Sequence, residues 1–220
     1  MDLLIFDLDG TLIDSRLDLA HAVNAARADM GMPPLENDLV CSYVGNGAPV
    51  LMRRALGERA SEAEVQRALE FFLQHYRDHA LDCTTLYPGV RESLDRLRAA
   101  GQRMAVLSNK PVEVSRAILA ELGVGADFFR VYGGDSFAFK KPHPIGVEAI
   151  IREAGVTRER TMMVGDSSVD IQTARNAGVK CCGLTYGFQP ETLSDPPPDL
   201  LFDRMEELAD WILSHNGEKP

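Results

Sequence analysis

With 220 residues and 45% hydrophobic content, the chain is long enough to bury one full core and to carry a sizeable insertion. Its formal net charge of −10 disfavours binding to nucleic acid or to an anionic membrane surface. No run of about 20 apolar residues is available to span a bilayer, and the opening residues read as a strand rather than a secretion signal, so the expected location is cytoplasmic.

The first predicted element is the apolar run Leu3-Leu4-Ile5-Phe6, which ends in Asp7-Leu8-Asp9-Gly10-Thr11-Leu12. Such a run reads as a buried parallel strand. Asp7 and Asp9 then fall at its carboxyl end, where open α/β sheets place ligands, and alternation sends both side chains to one face. Carboxylates this close need a cation. Mg²⁺ suits oxygen donors, and a metal beside a carboxylate lets it approach an anionic phosphoryl group as a nucleophile. A strand ending in an ordinary Asp-Gly turn is the alternative.

From there to Pro88 only helical patterns appear. Asp18 to Met30 places Leu19, Ala22, Val23, Ala26 and Met30 on one stripe, which Gly31-Met32-Pro33-Pro34 stops. Further helices are predicted over 37–43, 48–56 and 61–80, the last opening with a Ser61/Glu64 capping box. The Gly45-Asn46-Gly47 loop is the segment of this block best suited to reach a ligand, because glycine lets backbone approach closely; a helix-joining turn explains it equally well. Tyr43, Arg53 and Arg54 flank it. Arg53 has the chemistry to hold a substrate carboxylate, although surface ion pairing is the commoner use of either arginine. His75 and His79 stand at i, i+4 with no third ligand nearby in sequence and read as a partly exposed helix face. Asp14-Ser15 leaves the first strand's neighbourhood, and Tyr87-Pro88-Gly89 returns to it.

After Gly89 helix and strand alternate. A helix carrying Val90, Leu94 and Leu97 precedes strand 104–107, which ends in Ser108-Asn109-Lys110-Pro111. Ser108 and the N–H groups after it are placed to hold phosphate oxygens at the next helix start. Helix 112–122 follows, then Phe139-Lys140-Lys141-Pro142-His143-Pro144, where proline favours an extended Lys141 at a loop edge, able to neutralise a phosphate or the nucleophile. Helix 144–154 leads to strand 161–164 and Gly165-Asp166-Ser167-Ser168-Val169-Asp170, with two more acidic groups for a metal. Strand 179–185, a polyproline loop at 194–199, a helix at 205–213 and a frayed tail from His215 complete the chain. Singly, these clusters are a helix cap, a surface charge, a turn and a first-turn carboxylate. A doubly wound parallel sheet would gather them all at one edge. Cys41, Cys83, Cys181 and Cys182 show no C-x-x-C spacing, and the adjacent pair reads as strand packing.

Together, Asp7-Leu8-Asp9-Gly10-Thr11-Leu12, Ser108-Asn109, Lys141-Pro142 and Gly165-Asp166-Ser167-Ser168-Val169-Asp170 resemble, in order, the four motifs of haloacid dehalogenase-type phosphohydrolases. The resemblance implies a Rossmann-like α/β core, residues 1–15 and 85–220, with an inserted helical cap, residues 16–84, placed as in the phosphoglycolate phosphatase and β-phosphoglucomutase branch. It implies Asp7 as nucleophile forming an aspartyl-phosphate, Asp9 as general acid and then base, and Lys141 as the balancing cation. Ser108, Asn109, Lys141, Gly45, Asn46, Gly47 and Arg53 become the candidate phosphate and substrate contacts. Mg²⁺ would be held by the Asp7 carboxylate, the Asp9 carbonyl and Asp166, with Asp170 a ligand or a partner through water. Asp9 separates phosphatases from the carbon-directed dehalogenases of the superfamily, which lack it. The expected activity is hydrolysis of a small phosphorylated metabolite, 2-phosphoglycolate first, by a monomer or homodimer. A sugar phosphate, nucleotide or pyrophosphate phosphatase, a phosphomutase, and a non-catalytic binding protein on the same fold are the alternatives.

Overall fold

The apolar run at the start becomes strand β1 (Leu3–Phe6), every residue of which is buried, as befits a strand covered on both faces. A computed structural model describes residues 1–215, and the chain divides into two units, Met1–Ile13 with Leu86–Pro220, and Asp14–Thr85. Of the tail expected to fray from His215, that residue instead closes the last helix, and 216–220 lie outside the described residues.

The first unit holds a six-stranded sheet. Its strands are β1, β4 (Arg103–Leu107), β5 (Arg130–Tyr132), β6 (Thr161–Gly165), β7 (Lys180–Leu184) and β8 (Leu200–Phe202), all parallel, in the order β5-β4-β1-β6-β7-β8. The order reverses at β1, so its carboxyl end is the switch point at which such sheets bind ligands. Helices α5 (Val90–Ala99), α6 (Val112–Glu121), α7 (Ile145–Ala154), α8 (Ser168–Ala177) and α9 (Met205–His215) connect and flank the strands. Leu3, Ile5, Ala105, Leu107 and Met163 pack with Val147 and Ile150 of α7 and Ile171 and Ala174 of α8 in one buried cluster. Phe6, on the opposite face by alternation, meets Phe128 edge to face. Strands β5 and β8 were not expected from the sequence. Each has three residues and at most one of them buried, so neither presents an apolar run to read.

The second unit comprises α1 (Arg16–Asp29), α2 (Asn37–Cys41), α3 (Ala48–Leu56) and α4 (Glu62–His79). The expected Ser61/Glu64 capping box forms: Glu64 accepts the Ser61 N–H at 2.8 Å, and Ser61 Oγ accepts the Glu64 N–H at 3.3 Å. Asp18 closes the unit by accepting the Thr84 N–H at 2.8 Å and its hydroxyl at 2.7 Å. The chain passes between the units through two short paired strands, β2 (Ile13–Asp14) and β3 (Thr85–Leu86). No helix among the described residues is long and apolar enough to cross a membrane.

Arg27 is the internal clamp of the second unit. Its buried guanidinium donates to the carbonyl of Pro33 at 2.8 Å and to that of Ala55. Arg27→Met keeps the aliphatic volume but strands two acceptors. It should cost about 2–4 kcal/mol in urea unfolding and speed proteolysis within residues 14–85. An unchanged midpoint would mean that water replaces the guanidinium.

Candidate functional site

Asp7 follows β1 directly, its N–H donating to Val164 O of β6 at 2.9 Å and its Oδ1 accepting the Leu8 N–H at 2.7 Å. The chain then turns sharply, with Leu8 O accepting the N–H groups of Thr11, Leu12 and Ile13 at 3.3, 2.9 and 3.1 Å. Gly10 makes the turn at φ +81°, and a Cβ there would stand 2.2 Å from Asp166 Oδ2, so both backbone and space require glycine. Thr11 Oγ1 donates to Asp166 Oδ1 at 3.2 Å.

Lys141 lies in the loop before α7, but it is not a surface charge. Its side chain is 1% exposed, with Nζ 2.9 Å from Asp7 Oδ1 and 2.7 Å from Asp170 Oδ1. Asn109 holds this stretch in register by donating to Lys141 O at 3.0 Å and accepting from its N–H at 2.9 Å. The Asn109 amide therefore orients the lysine. Asp170 does two jobs: Oδ1 meets Lys141, and Oδ2 accepts from the Ser167 N–H and hydroxyl at 3.3 and 2.9 Å, capping α8. Asp166, at the end of β6, accepts the Phe188 N–H at 2.7 Å.

Carboxylate oxygens of Asp7, Asp166 and Asp170 lie within 4.8 Å of one another, and all three residues are buried. One ammonium cannot balance three carboxylates. Burial, with the neighbouring Asp170 charge adding to it against the pull of Lys141, pushes the Asp7 carboxyl up to about 6. Burial and then Asp170 and Asp7 hold Asp166 well above the usual carboxylate range. Burial disfavours the Lys141 ammonium, yet Asp170 and Asp7 outweigh it and raise its pKa. A buried, all-oxygen, charge-deficient cluster fits a divalent cation of the hard class.

The remaining expected contacts fall in two places. Ser108 is buried at the end of β4, its Oγ accepting the Lys110 N–H at 3.3 Å. Gly45, Asn46, Gly47 and Arg53 belong to the second unit, where Gly47 precedes α3 at φ 84° and Arg53 donates to Ala60 O at 2.8 Å and pairs with Glu62. His143 accepts the Ile145 N–H at 3.2 Å and so serves the start of α7.

Two features escaped the sequence reading. Lys110, itself buried, grips Asp9 with Nζ 2.7 and 3.0 Å from its two carboxylate oxygens. The loop after β7 braces the site, because Tyr186 donates its hydroxyl to Thr11 O at 2.6 Å and a Cβ on Gly187 would stand 2.2 Å from Asp166 Cβ. Both follow strand ends of the same sheet edge, a signal that was present and unused.

The pattern of the family described as Haloacid dehalogenase-like hydrolase matches residues 4–184. The phosphoglycolate phosphatase of Pseudomonas syringae pv. tomato is 38% identical across 98% of this chain and 81% of its own length. That of Pseudomonas putida is 41% identical across 94% and 78%. A crystal structure described as a predicted phosphoglycolate phosphatase from Haemophilus somnus superposes with a TM-score of 0.90 at 34% identity, covering 96% of this chain and 97% of that one. The chain belongs to the haloacid dehalogenase-like hydrolases, and it is a phosphatase.

The raised Asp7 pKa has a thermodynamic consequence. A carboxyl near 3.8 unfolded and about 6 folded binds more protons in the folded state between those values, so metal-free stability is highest below about pH 4 on this account and falls as pH rises through about 6. In chelator, this proton linkage should lower Tm across that window, and saturating divalent cation should raise Tm more at pH 7 than at pH 4. Equal increments at both pH values would exclude these carboxylates as the cation's site.

Proposed function

We propose that this phosphatase hydrolyses a small phosphomonoester, 2-phosphoglycolate foremost, through an aspartyl-phosphate on Asp7, with Mg²⁺ at the Asp7, Asp166 and Asp170 cluster. The observation that carries the reading is the pairing of Lys141 with both Asp7 and Asp170 in the buried cluster at the carboxyl end of β1. Support for the substrate comes from the two Pseudomonas relatives, which bear the name phosphoglycolate phosphatase.

In this mechanism Asp7 Oδ1 is fixed by the Leu8 N–H and Lys141, and Oδ2 attacks phosphorus. Asp9 hands a proton to the departing alkoxide oxygen, which spares the reaction from expelling a bare alkoxide. Water then loses a proton to Asp9, attacks the phospho-aspartate and releases phosphate, restoring both carboxyl groups. Mg²⁺, held by Asp7, Asp166 and Asp170 with the Asp9 carbonyl, would offset negative charge on the transferring group. Lys141 stabilises the same charge from the protein side and holds Asp7 at its angle. Ser108 and the N–H groups after it receive phosphate oxygens. Lys110 keeps Asp9 ordered between the two proton transfers. The Asp14–Thr85 unit is read as the cap that selects substrates, with Gly45, Asn46, Gly47 and Arg53 as its contacting segment.

A panel of phosphate esters assayed for released phosphate, with and without Mg²⁺, tests the substrate; 2-phosphoglycolate should rank at or near the top, and chelation should stop turnover. Equal rates across the panel would overturn the substrate assignment. Asp7→Asn should abolish turnover without unfolding the chain. Asp9→Asn should slow turnover by ~10²–10⁴, yet it should still trap phosphate on Asp7 from an ester with an activated leaving group, as read by mass spectrometry. Phosphate found on any other residue would overturn the pathway.

A further inference from the structure

Among the described residues a second group of ligand atoms comes together, wholly within the Asp14–Thr85 unit. Asp18 and His21, one turn apart on α1, and Cys83, just beyond α4, each place a ligand atom within 4.8 Å of the other two. Asp18 is buried, whereas His21 and Cys83 are exposed. The carboxylate is held rigidly. Its Oδ2 accepts from Thr84 N–H, Thr84 hydroxyl and Cys83 N–H, while Oδ1 accepts from Cys83 N–H at 3.0 Å.

Those bonds explain why Asp18 is buried, but they do not call for an imidazole and a thiol beside it. His75, His79 and Cys83 are spaced four residues apart, and the two rings stack with centroids 4.4 Å apart. His79 Nδ1 lies 2.8 Å from Asp82 Oδ2, the carboxylate support that orients many ligating histidines. This nitrogen and sulfur set differs in kind from the all-oxygen catalytic cluster.

We propose that Asp18, His21 and Cys83 bind one borderline divalent transition-metal ion of the Zn²⁺ class. On binding, the Cys83 S–H bond breaks, its proton passes to solvent, and the sulfur's electron pair forms the metal bond; no electron is transferred. Mg²⁺ does not compete, because thiolate and imidazole are poor partners for a hard cation.

The test uses the full chain, stripped with chelator and returned to excess Mg²⁺ so that the catalytic cluster is occupied. Titration with Co²⁺ should show one equivalent bound with a sulfur-to-cobalt charge-transfer band. Zn²⁺ should shield Cys83 from a thiol reagent, a clean readout because the other three cysteines are buried. His21→Ala and Cys83→Ser, both at exposed positions, should each weaken Zn²⁺ binding by ~10-fold or more. Asp7→Asn should leave it unchanged, which keeps this site distinct from the catalytic one. Binding that gives no sulfur band and survives both substitutions, or that vanishes in excess Mg²⁺, would overturn the proposal.

Discussion

Asp7, Asp166 and Asp170 lie buried around the ammonium of Lys141, and electrostatics inside a protein makes that arrangement costly unless more positive charge arrives. Much of the core serves to hold those groups against their repulsion. Hydrogen bonds from Leu8, Thr11, Phe188 and Ser167 tie down the carboxylates, and glycines at 10 and 187 leave room where any side chain would collide with Asp166. Excess negative charge is thus built into the scaffold, and it favours a bound cation.

The sheet supplies the geometry. Phe6 and Val164 are register partners on adjacent parallel strands, so the next residues on β1 and β6 bring Asp7 and the Gly165-Asp166 turn to one edge. Ser108 emerges from β4 on the other side of β1. Loops need only supply Lys141, and Asn109 fixes that loop by its backbone, which makes the lysine's position as dependable as a strand residue's.

How legible this was in the sequence depended on whether a group's partners were near it or could be inferred from strand ends. Asp7, Asp9, Asp166 and Asp170 terminate strongly apolar strands or open the helix after one, so one rule of α/β sheets gathers them. The role of Asn109 was legible only as a polar residue after a strand; its partner, Lys141, stands 32 positions away. Lys110 and Asp9 are 101 positions apart, and no local pattern announces their pairing. Strands β5 and β8 were invisible because three mostly solvent-touched residues carry no periodicity.

Strands β2 and β3 lie side by side, and Tyr87 N–H reaches back to Leu12 O at 3.1 Å, so to the core the whole stretch between them amounts to a single closed loop. Loop-closure entropy grows slowly with length, by about 0.6 kcal/mol per doubling. A helical block, a shorter hairpin or a larger domain could therefore occupy the same gate with little change in the core's own stability. Evolution can treat the stretch as a replaceable cassette, because whatever hangs between those two fixed chain ends leaves the strands of the core where they are.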